Sequence, residues 1–431
     1  MPEPVDQPSI ALEAAQWLAG EVGRGTIERV VSELHAGKPR LRVIESIRTS
    51  LNAQQAQAVL DQVGLREKIR EKFPFPQPPL ATQKGLEQAT DWAIARYKTA
   101  RLATAVGRES TVVDIGCGIG GDLLGMLAAG FQHVIGYERD PVTAVFAQAN
   151  AARMLSDLAA IPPDSTVRIE AFAADPAAIP PNALWHMDPD RRPGGGRAVD
   201  WEWLAPGPEF FERLLASHPT GVLKGAPAAP ALPGRLADLP QTREWIASRR
   251  ECRQQVVWFG RAADAPGSRR ATVVRAADDW EAAPFAESFT GLPDQAVERC
   301  DEWAAYLHEP SAALLAAELD GAFAREQSYL QIQPGLPYYT SDRSATSALA
   351  SSFRIELVTP WRKDRVKALL HERNIGRLEI KKRGVELDPE TVRKELKLKG
   401  DNAATLFLTR RGEQRIAILA HRIVQDSADR S

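Results

Sequence analysis

The chain has 431 residues, 44% apolar and 26% charged, which suits two or three ordinary globular domains and excludes a disordered or fibrous protein. A net charge of −2 does not mark the whole chain as an obvious polyanion binder, and no apolar run nears the ~20 residues of a membrane helix. The acidic first residues lack a secretory layout, the cysteines Cys117, Cys252 and Cys300 lie too far apart for a disulfide framework or zinc knuckle, and the seven histidines show no ligand pairing, so a cytoplasmic setting with no membrane and no metal is expected.

From Ser9 to Phe73, apolar residues recur at helical spacing: Leu12, Ala15, Leu18; Ile27, Val30, Val31, Leu34; Ala56, Val59, Leu60, Val63. This predicts a helical N-terminal region, with a helix starting near Asn52. Phe73-Pro74-Phe75-Pro76-Gln77-Pro78-Pro79 cannot be helical and reads as a linker. After Leu86-Glu87-Gln88-Ala89-Thr90, a helix is predicted from Asp91 to about Val106, with Thr90 as its N-cap.

The stretch from Thr111 to Met154 organises the rest. An apolar run, Thr111-Val112-Val113, ends on Asp114, and glycines follow at 116, 118 and 120. An amphipathic helix begins near Asp122, and a second apolar strand, Val134 to Tyr137, ends on Glu138. Strand, glycine turn, helix, strand and acid make one right-handed βαβ unit. Gly116 and Gly118 leave room for the backbone to bend and touch a ligand. Unpaired helix N–H groups near Gly120 and Gly121 can face a carboxylate or other anion. Glu138 can accept both hydroxyls of a ribose. The spacing D-x-G-x-G-x-G differs from the dinucleotide pattern G-x-G-x-x-G.

DIGCGIG followed by GYERDP resembles the cofactor loop of class I S-adenosylmethionine-dependent methyltransferases. The resemblance implies that Asp114 and the loop Gly116, Cys117, Gly118 and Gly120 hold the methionine part of S-adenosylmethionine. It also implies that Glu138, with Arg139 beside it, holds the ribose. In that family the helix before the first strand often lies over the cofactor, so Gln88 and Thr90 are candidates for cofactor or substrate contact, or simply cap their helix.

Thr166 to Ala171 reads as a third strand, and Asp175 after it is placed by the resemblance near the adenine amino group. A fourth strand, Ala183 to Met187, runs into Asp188-Pro189-Asp190-Arg191-Arg192 and the glycine-rich Pro193–Arg197. Amine-methylating relatives carry Asp/Asn-Pro-Pro-aromatic at this point. Asp188 and Pro189 match; Asp190 and Arg191 replace the second proline and the aromatic. Asp188, Pro189, Arg191 and Arg192 are the candidate catalytic residues, and Arg197 a candidate substrate contact. An arginine plane can stack on a base or pair with phosphate.

Gly221 to Lys224 is a fifth strand. Gln241 to Arg250 reads as a helix, and Arg253–Gly260 with Arg270–Arg275 as a closing antiparallel hairpin. Ser311 to about Glu326 reads as a helix, with His308 a structural contact at its entry. Farther on, Phe353–Val358 and Gly376–Arg383 read as strands, Lys363–Arg373 and Asp388–Leu396 as helices. Ala403–Arg410 and Gln414–His421 form a hairpin around Arg411-Gly412-Glu413. Trp361 to Arg411 holds 15 Lys and Arg against 8 Asp and Glu, a local +7 that leaves −9 for the remainder. A basic module on an acidic body suggests a polyanionic partner.

The run Ile375–Gly384 with Gly400–Thr405 resembles the THUMP-like C-terminal domain of bacterial class I methyltransferases that carry a DPxRR motif and an upstream LEQAT segment. Asp188–Arg192 and Leu86–Thr90 match both. The core is also distantly similar to cap-guanine N2 methyltransferases. THUMP domains proper bind RNA, so Lys381, Lys382 and Arg383 become candidate RNA contacts. The expected architecture is α/β: a Rossmann-like seven-stranded class I methyltransferase core at 80–276, preceded by a helical domain and linker at 1–79. A helical connector at 277–337, an α+β THUMP-like domain at 338–424 and a tail at 425–431 follow. The expected activity is methyl transfer, with RNA as the expected partner. Methylation of a protein or small molecule, and cofactor binding without catalysis, remain as alternatives.

Overall fold

The computed structural model describes residues 11–171, 175–191, 201 and 204–423. These fall into two compact units. The first holds the described residues of Met1–Thr242, Gln255–Pro266 and Val274–Ala286; the second holds Arg243–Gln254, Gly267–Val273 and the described residues of Glu287–Ser431.

The first unit begins with four helices: α1 (Leu12–Ala19), α2 (Glu21–His35), α3 (Arg40–Ser50) and α4 (Ala53–Lys72). Their apolar stripes close one core with Leu80 and with Val142 and Phe146 of a later helix, α8 (Pro141–Asp157). Asn52 caps α4 by accepting from Gln55 N at 2.9 Å. Lys72, the last residue of α4, donates to the carbonyls of Leu86, Glu87 and Ala89 at 2.7–3.1 Å. It thereby satisfies the open end of the short helix α5 (Gln83–Gln88). Between them the proline-rich segment runs extended, and Phe75 packs edge-on against Trp92 and Trp280.

Next come α6 (Trp92–Val106), β1 (Thr111–Ile115), α7 (Gly121–Ala128), β2 (His133–Tyr137), α8, β3 (Thr166–Glu170) and β4 (Leu184–Met187). A two-stranded pair, β5 (Asp190–Arg191) and β6 (Leu204–Ala205), precedes α9 (Pro208–Ser217), β7 (Gly221–Gly225), β8 (Gln241–Ser248) and β9 (Glu251–Phe259). In the first unit the strand order is β3-β2-β1-β4-β7-β9. All are parallel except β9, which runs against β7. β8 lies next to β9 as the seventh strand of this run, in the place where the sequence led us to expect Arg270–Arg275.

In the second unit the edge order is β9-β8-β10-β11, where β10 is Arg269–Arg275 and β11 is Phe285–Gly291. Two expectations fail here. Gln241–Ser248 is a strand rather than a helix, and Arg269–Arg275 pairs in parallel with β8 rather than in a hairpin with β9. The cause is a tight turn at Arg249 and Arg250, both at positive φ (52° and 69°). Such turns usually announce themselves with Asn or Gly; two arginines hide this one.

The second unit then adds β12 (Tyr306–Pro310), α10 (Ala312–Ala316), α11 (Asp320–Glu326), β13 (Leu330–Gln331) and β14 (Tyr339–Ser341). β15 (Ala350–Pro360), α12 (Lys363–Glu372), β16 (Ile375–Lys382), α13 (Pro389–Leu396), β17 (Asn402–Arg411) and β18 (Gln414–Arg422) complete it. The segment 277–337 is therefore not a helical connector: it carries β11, β12 and β13 beside two short helices. The single helix expected from Ser311 is broken at Glu318, whose φ is 57°. His308 sits in β12, not at a helix entry, stacked on Tyr329 and held between Ser352 and Ser341.

Seven strands form one sheet in the order β13-β14-β12-β15-β18-β17-β16. Alternation along its strands fills both faces. Leu406, Leu408, Ala417 and Leu419 face α12 and α13, while Phe407, Ile416, Ile418 and Ala420 face Leu307, Tyr338 and Phe353.

Candidate active site

β1 lies between β2 and β4, so the chain leaves it first to one side and then to the other. In such sheets ligands occupy the crevice at the carboxyl ends of the strands. Every candidate of the first motif lies there. Gly116 N and Cys117 N both donate to Tyr137 O, at 2.8 and 3.0 Å, which ties the glycine loop to the end of β2. Gly116, Gly118 and Gly120 have φ of 74°, 56° and 97°, a conformation that other residues rarely adopt. A Cβ on Gly116 would lie 3.2 Å from Asp188 O, so this glycine lets the loop touch the end of β4. A Cβ on Gly118 would meet nothing within 4 Å, so the loop is open on that side. Glu138 accepts from Gly118 N through Oε2 at 3.0 Å and from Asp140 N through Oε1 at 2.9 Å. Burial pushes the Cys117 thiol far up, with Asp114 adding to it, so this cysteine is neutral packing within the loop.

Behind the loop, four ionisable side chains from four elements meet out of water. Lys98 of α6, Asp114 of β1, Asp122 of α7 and His186 of β4 are each 6% exposed or less. Lys98 Nζ lies 2.8 Å from Asp122 Oδ1 and 3.2 Å from His186 Nε2. His186 Nδ1 lies 2.8 Å from Asp114 Oδ1. An ammonium only donates, so Nε2 is the acceptor and the Nδ1 proton points at Asp114. The Thr90 hydroxyl donates to Asp122 Oδ2 at 2.7 Å. Thr90 is thus not the N-cap of α6: that position is Asp91, and Thr90 is spent on Asp122. Burial pushes Asp122 up, but the Lys98 ammonium outweighs it and holds the carboxyl well below the usual range. Burial dominates for Asp114, whose carboxyl is raised despite His186. Asp114 Oδ2 is buried with no hydrogen-bond partner, which leaves an open acceptor under the loop.

At the mouth of the crevice, Lys224 Nζ, on β7, lies 2.5 Å from Asp188 Oδ2. Burial pulls Lys224 down, but Asp188 and the neighbouring carboxylates reverse this and raise it above its ordinary value. The Gln88 carbonyl lies 3.5 Å from the same ammonium.

The remaining candidates are scattered. Arg139 is exposed at the entry to α8, and Asp175 is exposed and caps a short turn by accepting from Ala177 N at 3.1 Å. Pro189 is half-buried beside Asp188. Arg192, Arg197 and the side chain of Arg191 lie outside the described residues. In the second unit, Lys381 pairs with Glu309 at 2.5 Å, Arg383 approaches the same carboxylate at 3.9 Å, and Lys382 is exposed.

Sequence reasoning missed Lys98, Asp122, His186 and Lys224. Two signals were present. Ala95, Lys98, Thr99 and Leu102 share the buried stripe of α6, where a lysine needs a partner. His186 stands in an otherwise apolar buried strand, Leu184–Met187, and needs partners for the same reason.

The site fits a cofactor that carries a donor group and a ribose: an open glycine cradle, an unpartnered carboxylate oxygen of Asp114 beneath it and an acid at the tip of β2. Among the described residues no group of three or more His, Cys, Asp and Glu could hold a metal ion, and no helix is long and apolar enough to cross a membrane.

Comparison with known proteins agrees. Residues 350–422 match the family model described as THUMP domain-like. An uncharacterized S-adenosylmethionine-dependent methyltransferase of Mycobacterium tuberculosis, recorded in strains CDC 1551 and H37Rv, is 26% identical over 337 residues, covering 77% of this chain and 85% of the relative. A crystal structure of a proposed methyltransferase from Porphyromonas gingivalis W83 shares the fold, with a TM-score of 0.71 at 20% identity over 94% of this chain and 99% of that one. The chain is a class I S-adenosylmethionine-dependent methyltransferase with a C-terminal THUMP-like domain.

Proposed function

We propose that the chain methylates RNA, with Asp188 as the residue that receives the target nitrogen. The observation that carries this reading is the position of Asp188. Its backbone oxygen touches the glycine loop and its carboxylate faces Lys224. S-adenosylmethionine supplies an electrophilic methyl group on a sulfonium. The target nitrogen bonds to that carbon in line as the C–S bond breaks, the sulfur leaves as the neutral thioether of S-adenosylhomocysteine and the extra proton on nitrogen passes to solvent, so the residues contribute mainly alignment. Glu138 and the Gly116–Gly120 loop hold the cofactor, with Asp114 providing an open acceptor beneath it. Asp188 accepts a hydrogen bond from the target N–H and fixes the direction of the nitrogen lone pair.

RNA is favoured by the basic C-terminal module. Lys381 and Arg383 turn to Glu309, and Lys382 is joined by other exposed cations on and beside two helices. Val366 and Leu370 of α12 and Val392 and Leu396 of α13 pack on one face of the sheet. Arg362, Arg365, Lys394, Lys397 and Lys399, on and beside these helices, are exposed. Such a face suits a phosphate backbone and predicts salt-sensitive binding. The test is Asp188→Ala: methyl transfer to RNA is lost while S-adenosylmethionine affinity is kept. Full activity in this variant would remove Asp188 from the site.

A further inference from the structure

We propose that Lys224 reads the methyl acceptor together with Asp188, as a donor beside an acceptor, and so selects a planar nitrogen edge, that of a nucleobase, over an isolated alkyl amine. This rests on the reading of Asp188 given above. The register Met187↔Leu223 brings the next residues, Asp188 and Lys224, side by side at the carboxyl ends of β4 and β7.

The two lysines of this region, Lys98 buried and Lys224 half-buried, differ in what they face. The Lys98 side chain is 2% exposed and its partners are internal. The Lys224 side chain is 14% exposed and that of Asp188 32%, so their ion pair is reached by solvent at the carboxyl ends of β4 and β7. An ammonium has three donors. One is on Asp188 Oδ2, a second points to the distant Gln88 carbonyl, and the third has no partner among the described residues. Gly116 brings the cofactor loop against the same Asp188.

An incoming group therefore meets a carboxylate that accepts and an ammonium that donates, next to each other. An alkyl amine engages only the carboxylate. A nucleobase offers an N–H and, two bonds away, a lone pair on ring nitrogen or carbonyl oxygen, and engages both. The added charge-assisted hydrogen bond is worth roughly 10- to 100-fold in affinity.

The test measures S-adenosylmethionine affinity, kcat and KM for total RNA, and binding of the four nucleoside 5′-monophosphates to protein saturated with S-adenosylhomocysteine. These are compared for wild type, Lys224→Met and Lys224→Arg. Lys224→Met is expected to lower kcat/KM and the binding of the preferred nucleotide by roughly 10- to 100-fold, with cofactor affinity unchanged. Ribose 5-phosphate, which has no base, should bind both proteins alike, and Lys224→Arg should recover part of the loss. Wild-type behaviour of Lys224→Met, or cofactor affinity falling in step with activity, would overturn the proposal by making Lys224 irrelevant or a mere brace. Wild-type binding of none of the four nucleotides would overturn it as well. Label that enters protein and not RNA would overturn the RNA reading by itself. A glutamine amide has the same kind of edge, and the kcat/KM comparison on that acceptor then decides the role of Lys224.

Discussion

Lys98 joins α6 to α7 and β4 through buried contacts with Asp122 and His186, and removing its charge should weaken that junction. Lys98→Met keeps most of the side-chain volume and deletes the ammonium. Asp122, 6% exposed, is then left with the Thr90 hydroxyl, and His186 Nε2 loses its donor. Breaking a buried pair by removing one partner costs about 3–5 kcal/mol, because the other charge stays buried and uncompensated. The loss is expected in this unit, so hydrogen exchange of peptides covering β1 and β4 is the suitable assay. Their opening free energy should fall by that amount. The double variant Lys98→Met/Asp122→Asn removes both charges and should recover most of it. A single variant within about 1 kcal/mol of wild type, or a double variant no better than the single, would refute the claim that the Lys98–Asp122 pair holds these elements together.

Three other outcomes are expected. Glu138→Ala should weaken S-adenosylmethionine binding by roughly 10- to 100-fold in calorimetry, with an unchanged far-ultraviolet spectrum. His308 is buried, and burial lowers its pKa to about 4 from 6.5. Its neutral form therefore contributes stability above pH 6.5 that is lost as the pH falls toward 4, about 3 kcal/mol in all. Thermal melting of the second unit should show this loss, and His308→Gln should flatten it. Replacing Lys394, Lys397 and Lys399 together by Glu should weaken RNA binding and make its dependence on log salt concentration shallower by about two. An unchanged slope would place the RNA elsewhere.

The βαβ unit was legible in the sequence because every part of it is local. A β-branched run, glycines at alternate positions, a helix and an acid at the next strand end specify one another within 30 or so residues. The charged network behind the loop was not, because α6, β1, α7 and β4 contribute one residue each and only the folded sheet brings them together. Thr90 illustrates the difference: its position before a helix suggests a cap, but Asp122, 32 residues on, takes its hydroxyl. Lys381 and Arg383 look like free cations in sequence, and Glu309, more than 70 residues earlier, claims them. The misread Gln241–Ser248 strand failed for a local reason, since nothing in Arg249-Arg250 signals two left-handed residues. Trp245-Ile246 in the same segment is β-favouring, a signal the helical reading passed over.

The most direct measurement is methyl transfer from tritiated S-adenosylmethionine to fractions of cells lacking the gene, with wild type beside Asp188→Ala and cofactor binding recorded for both. Label is expected in RNA, removed by ribonuclease, and should disappear with Asp188→Ala while cofactor affinity stays. Label that resists ribonuclease, or persists in the variant, would contradict this reading.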